Sequence, residues 1–158
     1  MAASPFAEVT MPTPLYSPNQ ILAVAFIGGP VATVLALKHN YDALGNAVGA
    51  ELVVRWGIAF VIALLSLIPF IPQDFPQMVI PLAYSFAARG IAEGSQRSRE
   101  QIAQDEQLAF MPTGQLLRFS LVHLVLFMVL SVGWLLALDH FGIIDLPEPP
   151  AAAAPANP

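Results

Sequence analysis

Residues 16–45 read YSPNQILAVAFIGGPVATVLALKHNYDALG, and how this stretch behaves decides the rest of the chain. Ser17-Pro18-Asn19-Gln20 is written as a helix start. A serine stands at the N-cap, a proline follows where its missing N–H costs nothing, and a glutamine three residues after the cap can reach back to it. Residues 21–37 then supply 17 positions without a charge, Thr33 being the single polar side chain. That is the short end of what crosses a hydrocarbon core roughly 30 Å thick. Lys38 marks the exit.

Gly28-Gly29-Pro30 interrupts this helix near its middle. Pro30 cannot donate to the carbonyl of Phe26, and the two glycines before it remove stiffening side chains, so a bend is expected here. In lipid the freed carbonyl must find another partner, which requires something packed against the bend. Ala25, Gly29 and Thr33, with Gly28, Ala32 and Ala36 beside them, form two stripes of small residues at four-residue intervals. Such stripes let helix backbones approach closely in a membrane. Ala25, Gly28, Gly29, Pro30, Ala32 and Thr33 are therefore the expected kink and helix-packing residues. A packing seam is the simpler reading, and a broken helix lining a midplane site is the functional one.

The order Tyr16-Ser17-Pro18-Asn19-Gln20-Ile21, Ala25-Phe26-Ile27-Gly28-Gly29-Pro30, Asn40-Tyr41 and Leu44-Gly45 resembles the opening of a group of small, uncharacterised bacterial inner-membrane proteins. The likeness covers only residues 16–45. It implies a bacterial origin and an inner-membrane location, and it carries over no catalytic residue.

Composition agrees with a membrane protein: of 158 residues 56% are hydrophobic and 11% charged, against about a quarter charged in ordinary soluble domains. The net charge of −5 argues against nucleic acid as a partner. There is no cysteine, so thiol catalysis and thiolate metal sites are excluded. No basic segment precedes the first apolar run, and a cleaved signal peptide is not expected. Residues 1–17 read as a flexible tail and residues 145–158 as a Pro/Ala-rich disordered tail, with the membrane domain over 18–144 between them.

Four transmembrane helices are expected in an all-α polytopic fold, over about 19–38, 53–72, 75–91 and 116–138, the third of them short. The orientation rests on charge. Lys38 and Arg55 flank one connection, Arg89, Arg97, Arg99 and Arg118 another, and the remaining connections and tails have no Lys or Arg. If all four segments cross, every basic residue faces the cytoplasm and both termini lie on the non-cytoplasmic side. Residues 91–111 are then the one sizeable cytoplasmic element, either a solvated connector or a surface segment that docks a partner.

Chemistry is sparse. No acidic residue lies inside an apolar run, which disfavours proton-coupled antiport. His123 is the one titratable group inside a span, and without a second histidine three or four residues away it reads as a hydrogen-bonded packing residue rather than a metal or haem ligand. Asn40, Tyr41, Asp42 and Arg55 form a possible interface cluster, with Glu51 placed to pair with Arg55 at i,i+4. No catalytic, cofactor-binding or metal-binding residue is assigned, and no cofactor is expected. The leading expectation is a non-enzymatic inner-membrane protein, an accessory or assembly subunit or a homo-oligomer, acting through helix packing with lipid and other membrane subunits as partners. The alternative is a small channel or carrier for a neutral solute that uses the kinked first helix.

Overall fold

The computed structural model describes residues 12–72 and 74–146. In chain order its elements are strand β1 (Thr13–Leu15), helix α1 (Pro18–Ala43), helix α2 (Ala47–Leu67) continued by a 3-10 turn (Ile68–Phe70), helix α3 (Val79–Ser95), a short helix α4 (Arg99–Gln104), strand β2 (Leu108–Phe110) and helix α5 (Thr113–His140). By length and composition alone, three of these helices, α1, α2 and α5, could cross a membrane. The protein is a multi-spanning membrane protein built of packed helices.

α1 does not run straight. At 1.5 Å per residue a continuous helix would hold residues 16 and 40 about 36 Å apart. Instead the Tyr16 N–H donates to Asn40 Oδ1 at 2.8 Å and Asn40 Nδ2 donates to the Tyr16 carbonyl at 2.7 Å. The two ends of α1 therefore lie side by side. The reversal is at Gly29, whose φ of 78° and ψ of −175° break the helical path. Residues 18–28 form a first arm and residues 30–43 a second, and the helix expected to run straight over 19–38 is a hairpin. Pro30, expected as an interior kink, stands at the first position of the second arm, where proline's missing N–H leaves nothing unpaired. Ser17 caps the first arm: Gln20 N–H donates to Ser17 Oγ at 3.4 Å and Ser17 N–H to Gln20 Oε1 at 3.0 Å.

The hairpin is the centre of the molecule, with α2, α3 and α5 all packed on it. Its tip lies level with the middle of α5, where a Cβ on Gly29 would meet the Phe127 ring at 3.4 Å. Its open end is closed by β1 and β2, which pair in parallel with Thr13 opposite Leu108 and Leu15 opposite Phe110. Residues 13–17 are thus not part of a tail: Leu15 is fully buried and Tyr16 nearly so. Residues 1–11 and 147–158 lie outside the described residues.

This topology separates the ends of the chain. β1 sits beside the start of α5, and α5 runs uninterrupted for 28 residues to the opposite end. The expectation of both termini on one side assumed a continuous α1, whereas the reversal at Gly29 brings the two ends of α1 to the same end of the molecule. α3 runs from the turn after α2 back to the open end of the hairpin, where the Gln96 side chain donates to the Leu37 carbonyl at 2.9 Å. Residues 91–111 hold α4 and β2, anchored by the buried Ile102.

Candidate functional site: the hairpin tip and the trough beside it

The tip is made of residues that have no room to be larger. A Cβ on Gly28 would lie 3.0 Å from Cα and 3.1 Å from O of Ser120, so α5 approaches the first arm backbone to backbone. Gly29 occupies a region of backbone space that only glycine enters freely. Two carbonyls near the turn have side-chain partners: Tyr84 Oη donates to the Ala25 carbonyl at 3.2 Å, and Thr33 Oγ1 to the Gly29 carbonyl at 2.9 Å. Ala25, Gly28, Gly29, Pro30, Ala32 and Thr33 are all buried within the chain. The face read as a contact surface for another protein is filled by α3 and α5 of the same molecule.

Beside the tip, α2 and α3 keep their backbones apart, and the second arm floors the gap between them. Toward the turn after α2 the gap widens into a cleft of about 340 Å³ lined by Pro30, Leu64, Ile68, Gln77, Pro81 and Phe127 among others. Toward the open end of the hairpin it continues as a cleft of about 230 Å³ lined by Val34, Val53, Trp56, Ala87 and Ile91. Pro30 and Tyr84 belong to both clefts. Phe60 and Tyr84 meet edge-on across the gap with ring centroids 6.0 Å apart. No charged side chain lines either part. The result is one apolar trough along α2 and α3, narrowed near its middle by an aromatic pair and bounded there by the hairpin turn.

The cluster read at the membrane interface divides in two. Asn40 and Tyr41 turn inward and clasp the hairpin. Asn40 Nδ2 also donates to Gln96 Oε1 at 2.8 Å, and the Tyr41 hydroxyl sits 2.6 Å from Ser95 Oγ, which donates on to the Ile91 carbonyl. Gln20 Nε2 donates to the Met111 carbonyl at 2.7 Å, and the Met111 N–H to the Leu15 carbonyl at 2.8 Å, tying β1, β2 and the first arm together. Burial in this clasp pushes the Tyr16 phenol above its ordinary value. Asp42 and Arg55 stay outside it, exposed in a shallow depression on the surface. Asp42 pairs with Lys38, whereas the anticipated Glu51–Arg55 pair does not form.

His123 lies away from the trough lining. Its Nδ1 is 2.7 Å from the Phe119 carbonyl one turn earlier, and its ring packs on Phe119 with centroids 4.1 Å apart. Among the described residues no three His, Asp or Glu side chains come together as a metal site. The trough itself escaped the sequence reading because its walls, Leu64, Ile68, Ala87 and Ile91, look like any lipid-facing positions until the hairpin is in place.

Comparison with protein-family models, curated proteins and solved structures finds no match.

Proposed function

We propose that the protein is a non-enzymatic bacterial inner-membrane protein that binds a neutral, largely apolar molecule in the trough between α2 and α3, and acts as a carrier for it. The observation behind this reading is the charge-free trough with a re-entrant turn at its midpoint. Non-helical backbone at membrane depth is tolerated where it is enclosed by protein or lines a cavity, and half-helices ending at the midplane are a recurrent way of building a binding site there. In this reading α2, α3 and α5 cross the bilayer and the hairpin enters halfway. All six Lys and Arg residues lie nearer the open end of the hairpin, which makes that end cytoplasmic by the positive-inside rule. The N-terminal strand is then cytoplasmic and the end of α5 is outside.

The accessory-subunit reading loses its proposed contact face, since the small-residue stripes of α1 are used inside the chain. It would have to rest on the outer faces of α2 and α5. Native mass spectrometry after gentle extraction from the protein's own membranes separates the two. The carrier reading expects a neutral adduct at one per chain, lost in Ala87→Trp, which fills the trough, and kept in Leu121→Trp on the exposed face of α5. Absence of an adduct from the wild-type protein overturns that reading, and stoichiometric recovery in a larger complex without an adduct returns the accessory subunit to first place.

A further inference from the structure

A second groove lies on the other side of the hairpin, between the first arm and the beginning of α5. It measures about 410 Å³ and is lined along one edge by Asn19, Ala23 and Ile27 and along the other by Thr113, Leu116 and Leu117. Both edges repeat every three or four residues, so the groove follows the two helices inward. Along the first arm it extends about 12 Å from Asn19 to Ile27, and along α5 about 6 Å from Thr113 to Leu117, at 1.5 Å per residue. Its walls change character along the way. Asn19 and Thr113 stand at the helix starts, and Ile27 lies next to the turn at the midplane.

Arg99 is the one charged side chain lining this groove. It is the first residue of α4, and α4 is fixed in place by two local devices. Ser98 Oγ accepts from Gln101 N–H at 3.3 Å while Ser98 N–H donates to Gln101 Oε1 at 2.9 Å, and Ile102 is buried beneath. Among the described residues Arg99 makes no ion pair. At the same mouth the first turn of α5 begins after Pro112, which offers no capping side chain. A largely apolar groove between two helices thus has a single exposed guanidinium, that of Arg99, on its lining.

We propose that this groove is a binding site for one anionic phospholipid of the cytoplasmic leaflet, with the phosphate on Arg99 and an acyl chain laid between the first arm and α5. Guanidinium and phosphate form charge-assisted paired hydrogen bonds, which distinguishes this seat from the general contact of lipid with an apolar helix. The site is separate from the trough, and neither depends on the other being occupied.

The test is lipid exchange on the full-length protein in nanodiscs of phosphatidylcholine doped with phosphatidylglycerol, read by native mass spectrometry as retained lipid per chain. The wild-type protein is expected to retain phosphatidylglycerol over phosphatidylcholine by about fivefold, the effect of one basic group near an anionic headgroup. Arg99→Gln and, separately, Leu117→Trp should each bring the ratio close to one, while Arg97→Gln should leave it unchanged. Circular dichroism of each variant establishes that it is folded, and a second groove-filling change, Ala23→Leu, replaces Leu117→Trp if that variant fails to fold. No preference in the wild-type protein overturns the proposal. So does an undiminished preference in Arg99→Gln, or an equal loss in Arg97→Gln, which would reduce the effect to general surface charge.

Discussion

Gly29 holds φ at 78° and ψ at −175°, a combination that strains any residue with a Cβ by about 1–3 kcal/mol. Gly29→Ala should therefore lower stability by that amount, measured as the shift in unfolding free energy in mixed detergent micelles. Gly90 is the control, because a Cβ there meets nothing within 4 Å, and Gly90→Ala should be neutral or stabilising. Gly28→Leu should be worse than Gly29→Ala, since the added atoms run into the backbone of α5 rather than into a side chain that can move. Ser120 is fully buried and its hydroxyl has no hydrogen-bond partner among the described residues. A buried hydroxyl without a partner costs stability instead of supplying it. Ser120→Ala is accordingly expected to be tolerated or to stabilise, and a marked loss would show that the hydroxyl serves a polar role at the tip.

The hairpin as an element depends on its clasp more than on its turn. Asn40 imitates a strand partner, accepting from the Tyr16 N–H and donating to the Tyr16 carbonyl, and Asn40→Leu leaves both of those backbone groups buried without partners. At roughly 1–3 kcal/mol for each orphaned group, the open end should loosen by several kcal/mol, seen as faster amide exchange across residues 13–20. The cap of this element could be read directly from Ser17-Pro18-Asn19-Gln20, because capping is decided within four residues. Gly28-Gly29-Pro30 could be recognised as a distortion for the same reason. A kink and a full reversal share that local pattern, however, and what separates them is the contact of Tyr16 with Asn40 and of Gln20 with Met111. Those partners lie far along the chain, beyond the reach of any periodicity in residues 16–45.

At the scale of the whole molecule, charge does not distinguish an α1 that crosses from one that returns. Lys38 falls at the basic end whether α1 crosses or returns, and residues 1–37 carry no Lys or Arg to report on their own side. The topology is open to a direct check, because the chain has no cysteine. Thr13→Cys and Gly142→Cys, each labelled with a membrane-impermeant maleimide in sealed vesicles of known orientation, should react from opposite sides, with Gly142→Cys accessible from outside. Labelling of both from the same side would overturn the three-crossing topology. The broad apolar surfaces of α2 and α5 were readable from composition alone. The trough and the Arg99 groove were not, since each exists only where residues from separate helices face one another across the hairpin.

The parallel pairing of β1 with β2 also bears on how the protein is made. The hairpin precedes α2, α3 and α5 in the chain, so Gln96, Met111 and Phe127, which hold its end, its side and its tip, are all synthesised after it. Until residue 127 has been made, the turn at Gly29 lacks the ring it packs on, even where α2 and α3 already flank the hairpin. The hairpin, made before α2, α3 and α5, is therefore the element whose packing is completed last.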